Sequence, residues 1–272
     1  MAKTIGIIGL GYVGKAMKAL FEPAFDIKYF DVKTFSFPDQ LKNADLIIIS
    51  VPTPMAEDGS CDITAIENAA KTAIENAPNA LICIKSAVPP GTTDALNKKY
   101  NTDKFHVSPE YIGEGKRFVA PWKYPDPTNS RSHDFVIVGG PRASEVLDYF
   151  ARVMAVDAKY IIAEPIEVEL TKPFENAFLA TKVTFVNEAA KISEAYGVDR
   201  MKVRELWLLD ERIGRSHTSV FKDEPGFGGK CLPKDLSALI NESEKAGYDP
   251  SLLKSVRETN DKIRSHLFNK NA

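Results

Sequence analysis

The sequence predicts an α/β fold, in which a doubly wound, mostly parallel sheet is followed by an all-helical domain with one long central helix. Two patterns support this prediction. Up to about residue 160, short apolar runs alternate with helical patterns, which is typical of a parallel sheet covered on both faces. From about Glu164 onward the pattern is helical. We therefore predict one domain at residues 1–163 and a helical domain at residues 164–272.

Seven short apolar runs in the first domain are the predicted strands, and helical patterns follow several of them. The predicted strands are Thr4–Ile8, Ile27–Phe30, Leu46–Ser50, Ala80–Ile84, Phe105–Val107, Phe135–Val138 and Tyr160–Ile162. The predicted helices include Ile63–Glu75, Arg142–Val153, Glu167–Ala195, Met201–Leu209, Lys234–Ala246 and Ser251–Phe268. The long helix carries apolar residues with mostly 3.6-residue spacing, and its exposed stretches are apolar too. We expect that surface to be buried outside its own domain.

Composition and charge exclude several classes of protein. The 272 residues include 35 Lys and Arg against 37 Asp and Glu, so neither nucleic acid nor an anionic membrane is a favoured partner. No apolar run reaches the roughly 18 to 20 residues that span a bilayer, and the apolar N-terminus lacks a signal-peptide cleavage site. Three scattered cysteines are too few for a disulfide framework or a zinc site. We expect a cytoplasmic protein without a metal.

A glycine-rich turn joins the first predicted strand to a helix. It reads Gly9-Leu10-Gly11-Tyr12-Val13-Gly14. The first glycine permits a tight turn, the second lets the backbone approach a pyrophosphate, and the third allows the helix to pack closely on the strand. The helix N-terminus supplies N–H groups and partial positive charge. These features are typical of a Rossmann-type dinucleotide-binding domain.

Asp31 ends the next predicted strand, 22 positions after Gly9. At that spacing a carboxylate can accept hydrogen bonds from the adenine-ribose hydroxyls of a dinucleotide. It would also repel a 2′-phosphate, so the sequence favours NAD over NADP as the cofactor. The alternative is a structural glycine turn followed by a surface aspartate.

The segment GFGGKCLPKD at residues 226–235 is the second chemically informative stretch. Glycines allow a ligand to come close to the backbone. Cys231 lies at the start of a helical pattern with lysines on both sides, and these features favour ionisation of a thiol. An ionised thiol is what a covalent nucleophile needs. The alternative is a small buried side chain, which is how we interpret Cys61 and Cys83.

Lys172 and Asn176 are four residues apart on the long helix and therefore share a face. A lysine and an amide among apolar neighbours indicate a polar site at the domain junction, although they also fit a solvated helix edge. Pro173 cannot donate a hydrogen bond to the carbonyl of Glu169 and disfavours helical geometry at Lys172. We expect either a kink here or a regular helix that begins only at Pro173.

Seven segments, in this order along the chain, resemble the UDP-glucose/GDP-mannose dehydrogenase family, and the segment GFGGKCLPKD is by itself fairly specific. The segments are IGLGYVG at 8–14, VPTP at 51–54 with DG at 58–59, KSAVPPGTT at 85–93, SPEYIGEG at 108–115, ELTKPFENAFLATKVTFVNE at 169–188, DERIG at 210–214 and GFGGKCLPKD at 226–235.

The resemblance implies a four-electron oxidation of the primary alcohol of a UDP-glucose-like nucleotide sugar to a carboxylate, with two NAD. Cys231 would attack the intermediate aldehyde as a thiohemiacetal, which is then oxidised to a thioester. Lys172 would stabilise the oxyanion, and Asn176 would help to hold that oxygen or a water. Asp235 would orient or activate the hydrolytic water, and Glu110 would assist in acid–base chemistry.

The resemblance also implies binding positions and a partner. Arg212 would reach the substrate of a neighbouring subunit, so we expect a homodimer built on the long helix. The remaining cofactor-side positions are Thr53, Glu114 and Lys234, and the substrate-side positions are Tyr111, Arg212, Phe227, Gly228 and Gly229.

Three departures from the family pattern stand out. Ala87 replaces a threonine whose hydroxyl is associated with the catalytic water and the cofactor, and a methyl group cannot replace its hydrogen bonds. The connection from Asp31 to the strand at Leu46 is short. The sequence ends after Ser251–Phe268, so we expect the C-terminal nucleotide-binding domain of the family to be missing.

Two alternatives therefore stay open. The first is a non-catalytic protein that binds NAD or a nucleotide sugar, or one that works only with a partner chain. The second is a β-hydroxyacid-type dehydrogenase, since such enzymes share the fold plan and the Lys-x-x-x-Asn spacing. These enzymes transfer a single hydride without a cysteine, which would leave the segment around Cys231 unexplained.

Overall fold

The computed structural model describes residues 3–34, 36–112 and 129–268. The chain divides into two compact units. The first comprises Met1–Pro54 and Cys61–Lys172, and the second comprises Met55–Ser60 and Pro173–Ala272. The division falls within the long helix. The domain border between residues 163 and 164 stays a prediction.

The first unit contains a seven-stranded sheet in the order β2-β1-β3-β4-β5-β6-β7. All neighbouring strands are parallel except β5 and β6, which are antiparallel. Each predicted strand is confirmed, with its ends shifted by at most one residue. The strands are β1 (Thr4–Ile8), β2 (Asp26–Phe30), β3 (Leu46–Ile49), β4 (Leu81–Ile84), β5 (Phe105–Val107), β6 (Phe135–Gly139) and β7 (Lys159–Ala163).

Helices occupy both sequence regions as predicted, and α3 is an element that the sequence patterns did not predict. The short connection between Asp31 and Leu46 contains a single-turn 3-10 helix, Pro38–Leu41. The α-helices are α1 (Tyr12–Phe21), α2 (Thr64–Asn76), α3 (Thr92–Tyr100), α4 (Ala143–Phe150), α5 (Pro165–Ala195), α6 (Arg200–Trp207), α7 (Leu232–Lys245) and α8 (Ser251–Phe268).

The central strands are buried on both faces, as expected for continuous apolar runs in a parallel sheet. Because successive side chains of a strand point to opposite faces, β3 contributes to two separate clusters. Ile47 and Ile49 pack in the cluster that includes α2 residues, whereas Ile48 packs in the cluster that includes Phe21 of α1 and Phe150 of α4. The sheet is therefore covered on both sides.

Glu169 fixes the first turns of α5 to the start of α3. Its buried carboxylate accepts hydrogen bonds from Gly91 N at 2.5 Å, Thr93 N at 2.8 Å and Thr93 Oγ1 at 2.7 Å. Burial raises the pKa of this carboxyl. The helix is already regular at this point and continues through Pro173. The option that its regular part begins at Pro173 is therefore wrong, because tertiary contacts hold the turns before the proline.

The second unit is helical, as predicted. Within it, α5 from Pro173 onward, α7 and α8 supply most of a small apolar core, to which Leu208 and Phe227 add from outside the helices. Its buried apolar residues include Ala177, Ala180, Val183, Val186, Leu208, Phe227, Leu236, Leu239, Ile240 and Val256.

Candidate active site

In the turn after β1, a different structural feature accounts for glycine at each of the positions 9, 11 and 14. Gly9 has φ +91°, a left-handed conformation that side chains rarely adopt. A Cβ at Gly14 would lie 1.9 Å from Gly9 O, so only glycine allows α1 to pack here. A Cβ at Gly11 would meet no described atom within 4 Å. Gly11 alone therefore faces open space, where a ligand can approach the backbone.

Tyr12 and Val13 begin α1, and no described side chain caps this N-terminus. Tyr12 is exposed, while Val13 is half-buried against the core. The first turn of α1 also contains no acidic residue. An uncapped helix N-terminus of this kind is suited to an anionic phosphate group.

Asp31 lies beside the glycine turn, as its spacing predicted. Its Oδ2 accepts a hydrogen bond from Leu10 N at 2.6 Å, and its Oδ1 accepts one from Lys33 N at 2.7 Å. Each carboxylate oxygen has a second lone pair, so both can still accept a hydrogen bond from a ribose hydroxyl. Together with the open approach at Gly11, this arrangement fits NAD.

Thr53 and Ala87 bring together two of the segments that resemble the family. Thr53 is buried, and its Oγ1 donates to Ala87 O at 2.9 Å. Ser86 Oγ donates to Val51 O at 2.7 Å and forms a second link between the same two segments. Ala87 itself presents only a methyl group.

The side chain of Glu110 is 9% exposed and lies beside another charged side chain in the first unit. Its Oε2 lies 3.5 Å from Lys85 Nζ, and its Oε1 accepts hydrogen bonds from Tyr111 N at 2.9 Å and Ile112 N at 3.2 Å. Lys85 Nζ also donates to Pro109 O at 3.1 Å. The carboxylate is thus held in place by a neighbouring positive charge and by backbone donors.

Lys172 and Tyr111 lie together in the first unit. The ammonium nitrogen of Lys172 is 4.8 Å from the centre of the Tyr111 ring, within the range of a cation–π contact. The Tyr111 ring packs edge-on against Phe135, with the ring centres 4.8 Å apart. A position expected to bind substrate and a position expected to stabilise an oxyanion are therefore neighbours.

Cys231 immediately precedes α7 and is exposed. Four residues later, Asp235 is buried and has a partner on each oxygen. Lys234 Nζ lies 2.6 Å from its Oδ1, and Asn176 Nδ2 donates to its Oδ2 at 2.5 Å. Three residues expected to take part in catalysis or cofactor binding thus form one cluster in the second unit.

The glycines that precede Cys231 contact side chains that the sequence interpretation missed. A Cβ at Gly226 would lie 2.6 Å from Asn260 Oδ1, and one at Gly228 would lie 2.8 Å from Arg264 Cζ. Asn187 Oδ1 accepts a hydrogen bond from Gly226 N at 3.1 Å. The only sequence signal for these residues was the presence of polar side chains on helix faces that are otherwise apolar.

The other predicted binding positions differ in their surroundings. Phe227 is buried, whereas Gly229 has φ +76° and a Cβ there would meet no described atom within 4 Å. Arg212 is 88% exposed and pairs with Asp210, whose Oδ2 lies 2.5 Å from Arg212 Nη2. Glu114 lies outside the described residues. The roles of all these residues stay predictions.

Two general features of the described ranges bear on the kind of site. Within them, no group of three or more His, Cys, Asp or Glu side chains could hold a metal ion. Every helix described is too short or too polar to cross a membrane.

The fold and these clusters define a dinucleotide-binding unit joined to a helical unit with an exposed cysteine at a helix start. Residues 28–123 match the NAD binding domain of the UDP-glucose/GDP-mannose dehydrogenase family, and residues 167–262 match the central domain of that family. The two matches together cover well over half of the chain. The chain belongs to the UDP-glucose/GDP-mannose dehydrogenase family. This confirms the predicted family and fold, and the match to the NAD binding domain confirms NAD as the cofactor.

Individual relatives agree with this assignment. The chain is 33% identical to UDP-glucose 6-dehydrogenase TuaD of Bacillus subtilis, over 87% of this chain and 50% of the relative. It is 34% identical to UDP-glucose 6-dehydrogenase of Rickettsia prowazekii, over 82% of this chain and 51% of the relative. A UDP-glucose dehydrogenase structure from Pyrobaculum islandicum shows 29% identity and a TM-score of 0.80, over 96% of this chain and 68% of that one. The chain spans about half the length of these two curated relatives.

Proposed function

We propose that this chain oxidises the primary alcohol of a UDP-glucose-like nucleotide sugar to the carboxylate, through a covalent intermediate on Cys231. One observation carries the proposal. An exposed thiol at the start of α7 stands four residues before a buried carboxylate that Lys234 and Asn176 hold on both oxygens. The names of the relatives, which are UDP-glucose 6-dehydrogenases, supply the substrate class.

NAD, when bound, accepts the hydride in each of the two oxidations. Gly11 would leave room for its pyrophosphate at the start of α1, and Asp31 would accept hydrogen bonds from its ribose. In this proposal Thr53, Lys234 and Glu114 complete the cofactor side.

The covalent chemistry rests on the chain's own residues. The Cys231 thiolate adds to the aldehyde carbon, a carbon–sulfur bond forms, and the carbonyl oxygen becomes an oxyanion. The ammonium of Lys172 stabilises that charge. Loss of the hydride from the same carbon leaves a thioester. Water then adds to the carbonyl carbon, the carbon–sulfur bond breaks, and the carboxylate and the thiolate are released together with the two protons of the water.

Asp235 is the residue that we assign to the hydrolytic water. Both of its oxygens already accept from donors, which fixes the orientation of the carboxylate that would hold a water. Asn176 donates one N–H to this carboxylate, so we propose that its main role is to align Asp235. Glu110, held by Lys85, assists proton transfer in the first unit.

NADH formation with a panel of UDP- and GDP-sugars tests the activity. We expect turnover with at least one of these sugars. In Cys231→Ala, the rate at which the carboxylate product forms should fall at least ~1,000-fold. Cys61→Ser is the matched control and should keep the wild-type rate. NAD binding by a folded chain without any turnover would favour the non-catalytic alternative. An unchanged rate in Cys231→Ser would favour the β-hydroxyacid-type alternative.

We also propose a homodimer built on α5. Exposed apolar side chains of this helix, and of the residue that follows it, lie at intervals of four, seven, seven and four residues, which places them along one stripe. Exposed apolar stripes of this size mark interaction surfaces. Arg212, highly exposed in the second unit, would then be available to the substrate of the partner subunit. The stripe consists of Phe174, Phe178, Phe185, Ile192 and Tyr196.

Sedimentation of Phe178→Asp tests the dimer. We expect wild type to sediment as a dimer and this variant as a monomer, because a charge in the stripe opposes its burial. Val156→Asp changes an equally apolar and fully exposed residue in the first unit, and it should remain dimeric. A monomeric wild type would contradict the proposal.

We further propose a cytoplasmic location. The proposed chemistry needs Cys231, which is exposed at the start of α7, as a reduced thiol. Cytoplasm maintains thiols in that state. Cell fractionation should recover the protein with cytoplasmic markers, and recovery from a secreted fraction would contradict this location.

A further inference from the structure

The segment that carries Cys231 is held at both ends by one face of α5. Asn187 Oδ1 accepts a hydrogen bond from Gly226 N at 3.1 Å, and Asn176 Nδ2 donates to Asp235 Oδ2 at 2.5 Å. The two asparagines are eleven residues apart, which is about three turns and places them on the same face. Both side chains are buried. A single helix face thus contacts the first and last residues of the segment 226–235.

Asn260 of α8 forms hydrogen bonds with both the backbone N–H and the backbone C=O of Phe227, the second residue of the segment. Phe227 N donates to Asn260 Oδ1 at 2.7 Å, and Asn260 Nδ2 donates to Phe227 O at 3.1 Å. Asn187 is fixed in a similar way, because its Nδ2 donates to Val183 O at 2.8 Å. Each buried amide therefore uses both its donor and its acceptor, which fixes its orientation.

Arg264, one turn further along α8, completes this contact. Its Nη1 donates to Pro225 O at 3.2 Å, and its Cζ would lie 2.8 Å from a Cβ placed on Gly228. Residues 225–228 are thus held by three side chains from two helices. On the other side, Asp235 N donates to Cys231 O at 2.9 Å, a hydrogen bond of the first turn of α7.

We call the contacts to residues 225–228 and the hydrogen bond at Cys231 the two anchors of the segment. Gly229 and Lys230 lie between them. Gly229 has φ +76° and no described atom within 4 Å of a Cβ placed there. Glycine has few steric limits of its own, so the direction of the chain through it depends on what holds its neighbours. The orientation of the Cys231 thiol is then set by the anchors on each side.

We propose that Asn187 and Asn260 are positioning residues for the Cys231 nucleophile. They hold the backbone at Gly226 and Phe227 and thereby fix where the thiol is presented, without touching a reacting atom themselves. The inference rests on the proposed function for the role of Cys231.

Asn97 offers a matched control because it makes the same pair of bonds elsewhere. Phe105 N donates to Asn97 Oδ1 at 3.0 Å, and Asn97 Nδ2 donates to Phe105 O at 3.0 Å. The substitutions Asn260→Asp, Asn187→Asp and Asn97→Asp each keep the acceptor and replace the donor by a carboxylate oxygen. All three lose one hydrogen bond, which is buried at Asn260 and Asn187 and partly buried at Asn97. Only the first two substitutions alter the contacts that hold the segment next to Cys231.

The test is the rate of alkylation of each cysteine by iodoacetamide as a function of pH, resolved by peptide mass spectrometry. Cys83 is an internal reference, because burial raises the pKa of its thiol to about 12 and it should stay unlabelled in folded protein. We expect Asn260→Asp and Asn187→Asp to change the Cys231 rate at least about fivefold and to displace its pH curve. Asn97→Asp should leave that curve unchanged. Amide exchange should rise at residues 225–230 in the first two variants only.

A wild-type Cys231 curve in both Asn260→Asp and Asn187→Asp would overturn the proposal. So would an equal change in Asn97→Asp, since that would indicate a general loosening of the protein. If Asn260→Asp does not fold, the Cys231 alkylation curve of Asn187→Asp alone tests the proposal. Absence of dehydrogenase activity would contradict the proposed function. Alkylation of Cys231 needs no turnover, so it would still measure the effect of the two asparagines in such a chain. For an active chain, kcat of both variants should fall by about 10- to 100-fold.

Discussion

The two glycine-rich turns of this chain use glycine for different physical reasons. In the first turn, the requirement comes from nearby backbone: Gly9 has φ +91°, and a Cβ at Gly14 would lie 1.9 Å from Gly9 O. In the second turn, Gly226 and Gly229 also have left-handed φ values of +71° and +76°. The close contacts there come from side chains of α8, since a Cβ at Gly226 or Gly228 would meet Asn260 or Arg264. Both turns therefore contain glycines that a left-handed φ requires, but the closest contacts are with backbone in the first turn and with side chains of α8 in the second.

One glycine in each turn remains unexplained by the protein's own packing. Gly11 and Gly229 have no described atom within 4 Å of a Cβ placed on them. Gly229 still needs glycine because of its φ of +76°, whereas Gly11 does not. Gly11 is thus the position where approach of a ligand is the best reason for glycine.

Gly14→Ala should have the largest effect on stability. The new Cβ would meet backbone at Gly9, which cannot move without disturbing β1 and α1. We expect the free energy of unfolding to fall by about 3 kcal/mol or more. Urea unfolding measures this change. A loss no greater than that of Gly228→Ala would break the distinction between the two turns.

Gly226→Ala should rank second. It combines a left-handed φ of +71° with a Cβ 2.6 Å from Asn260 Oδ1. The left-handed conformation alone costs an alanine about 1–2 kcal/mol, so we expect a loss of about 2 kcal/mol in the free energy of unfolding. Urea unfolding again supplies the value, and an unchanged midpoint would show that the turn adjusts freely.

Gly228→Ala should cost less, about 1 kcal/mol, because the atom it meets belongs to the flexible end of Arg264. A double-mutant cycle with Arg264→Ala sharpens this prediction. The double variant should lose less stability than the sum of the two single variants, since removing the guanidinium makes room for the methyl group. Strictly additive losses would rule out this contact as the reason for glycine.

Gly11→Ala should have the smallest effect on unfolding, within about 0.5 kcal/mol, because its Cβ enters open space. The same methyl group should weaken NAD binding about tenfold, a loss of about 1.4 kcal/mol. Calorimetry with NAD and urea unfolding separate the two effects. Unchanged NAD affinity would show that the open space beside Gly11 is not used by the cofactor.

The parts that the sequence predicted well are those governed by short-range patterns. The apolar runs of β1 and β3 are buried on both faces, and the spacing from Gly9 to Asp31 places that carboxylate on the turn, where Leu10 N donates to it. Cys231 at the start of α7 followed from the residues around it. In each case the pattern and its structural cause lie within one or two adjacent elements.

The parts that it missed depend on partners far apart in the chain. Glu169 caps α3 across 76 residues or more, and Asn260 holds Phe227 from 33 residues away. No local pattern predicts which buried amide meets which peptide group. The uninterrupted course of α5 through Pro173 has the same origin, because the Glu169 contacts that hold its first turns are long-range.

The covalent role of Cys231 is the central claim, and the variant Asp235→Asn tests it most directly. Loss of the carboxylate should slow hydrolysis, so a reaction with NAD and UDP-glucose, quenched with acid, should contain an acyl adduct on the Cys231 peptide. Peptide mass spectrometry detects that adduct. If this variant releases NADH while Cys231 remains unmodified, the covalent mechanism is contradicted.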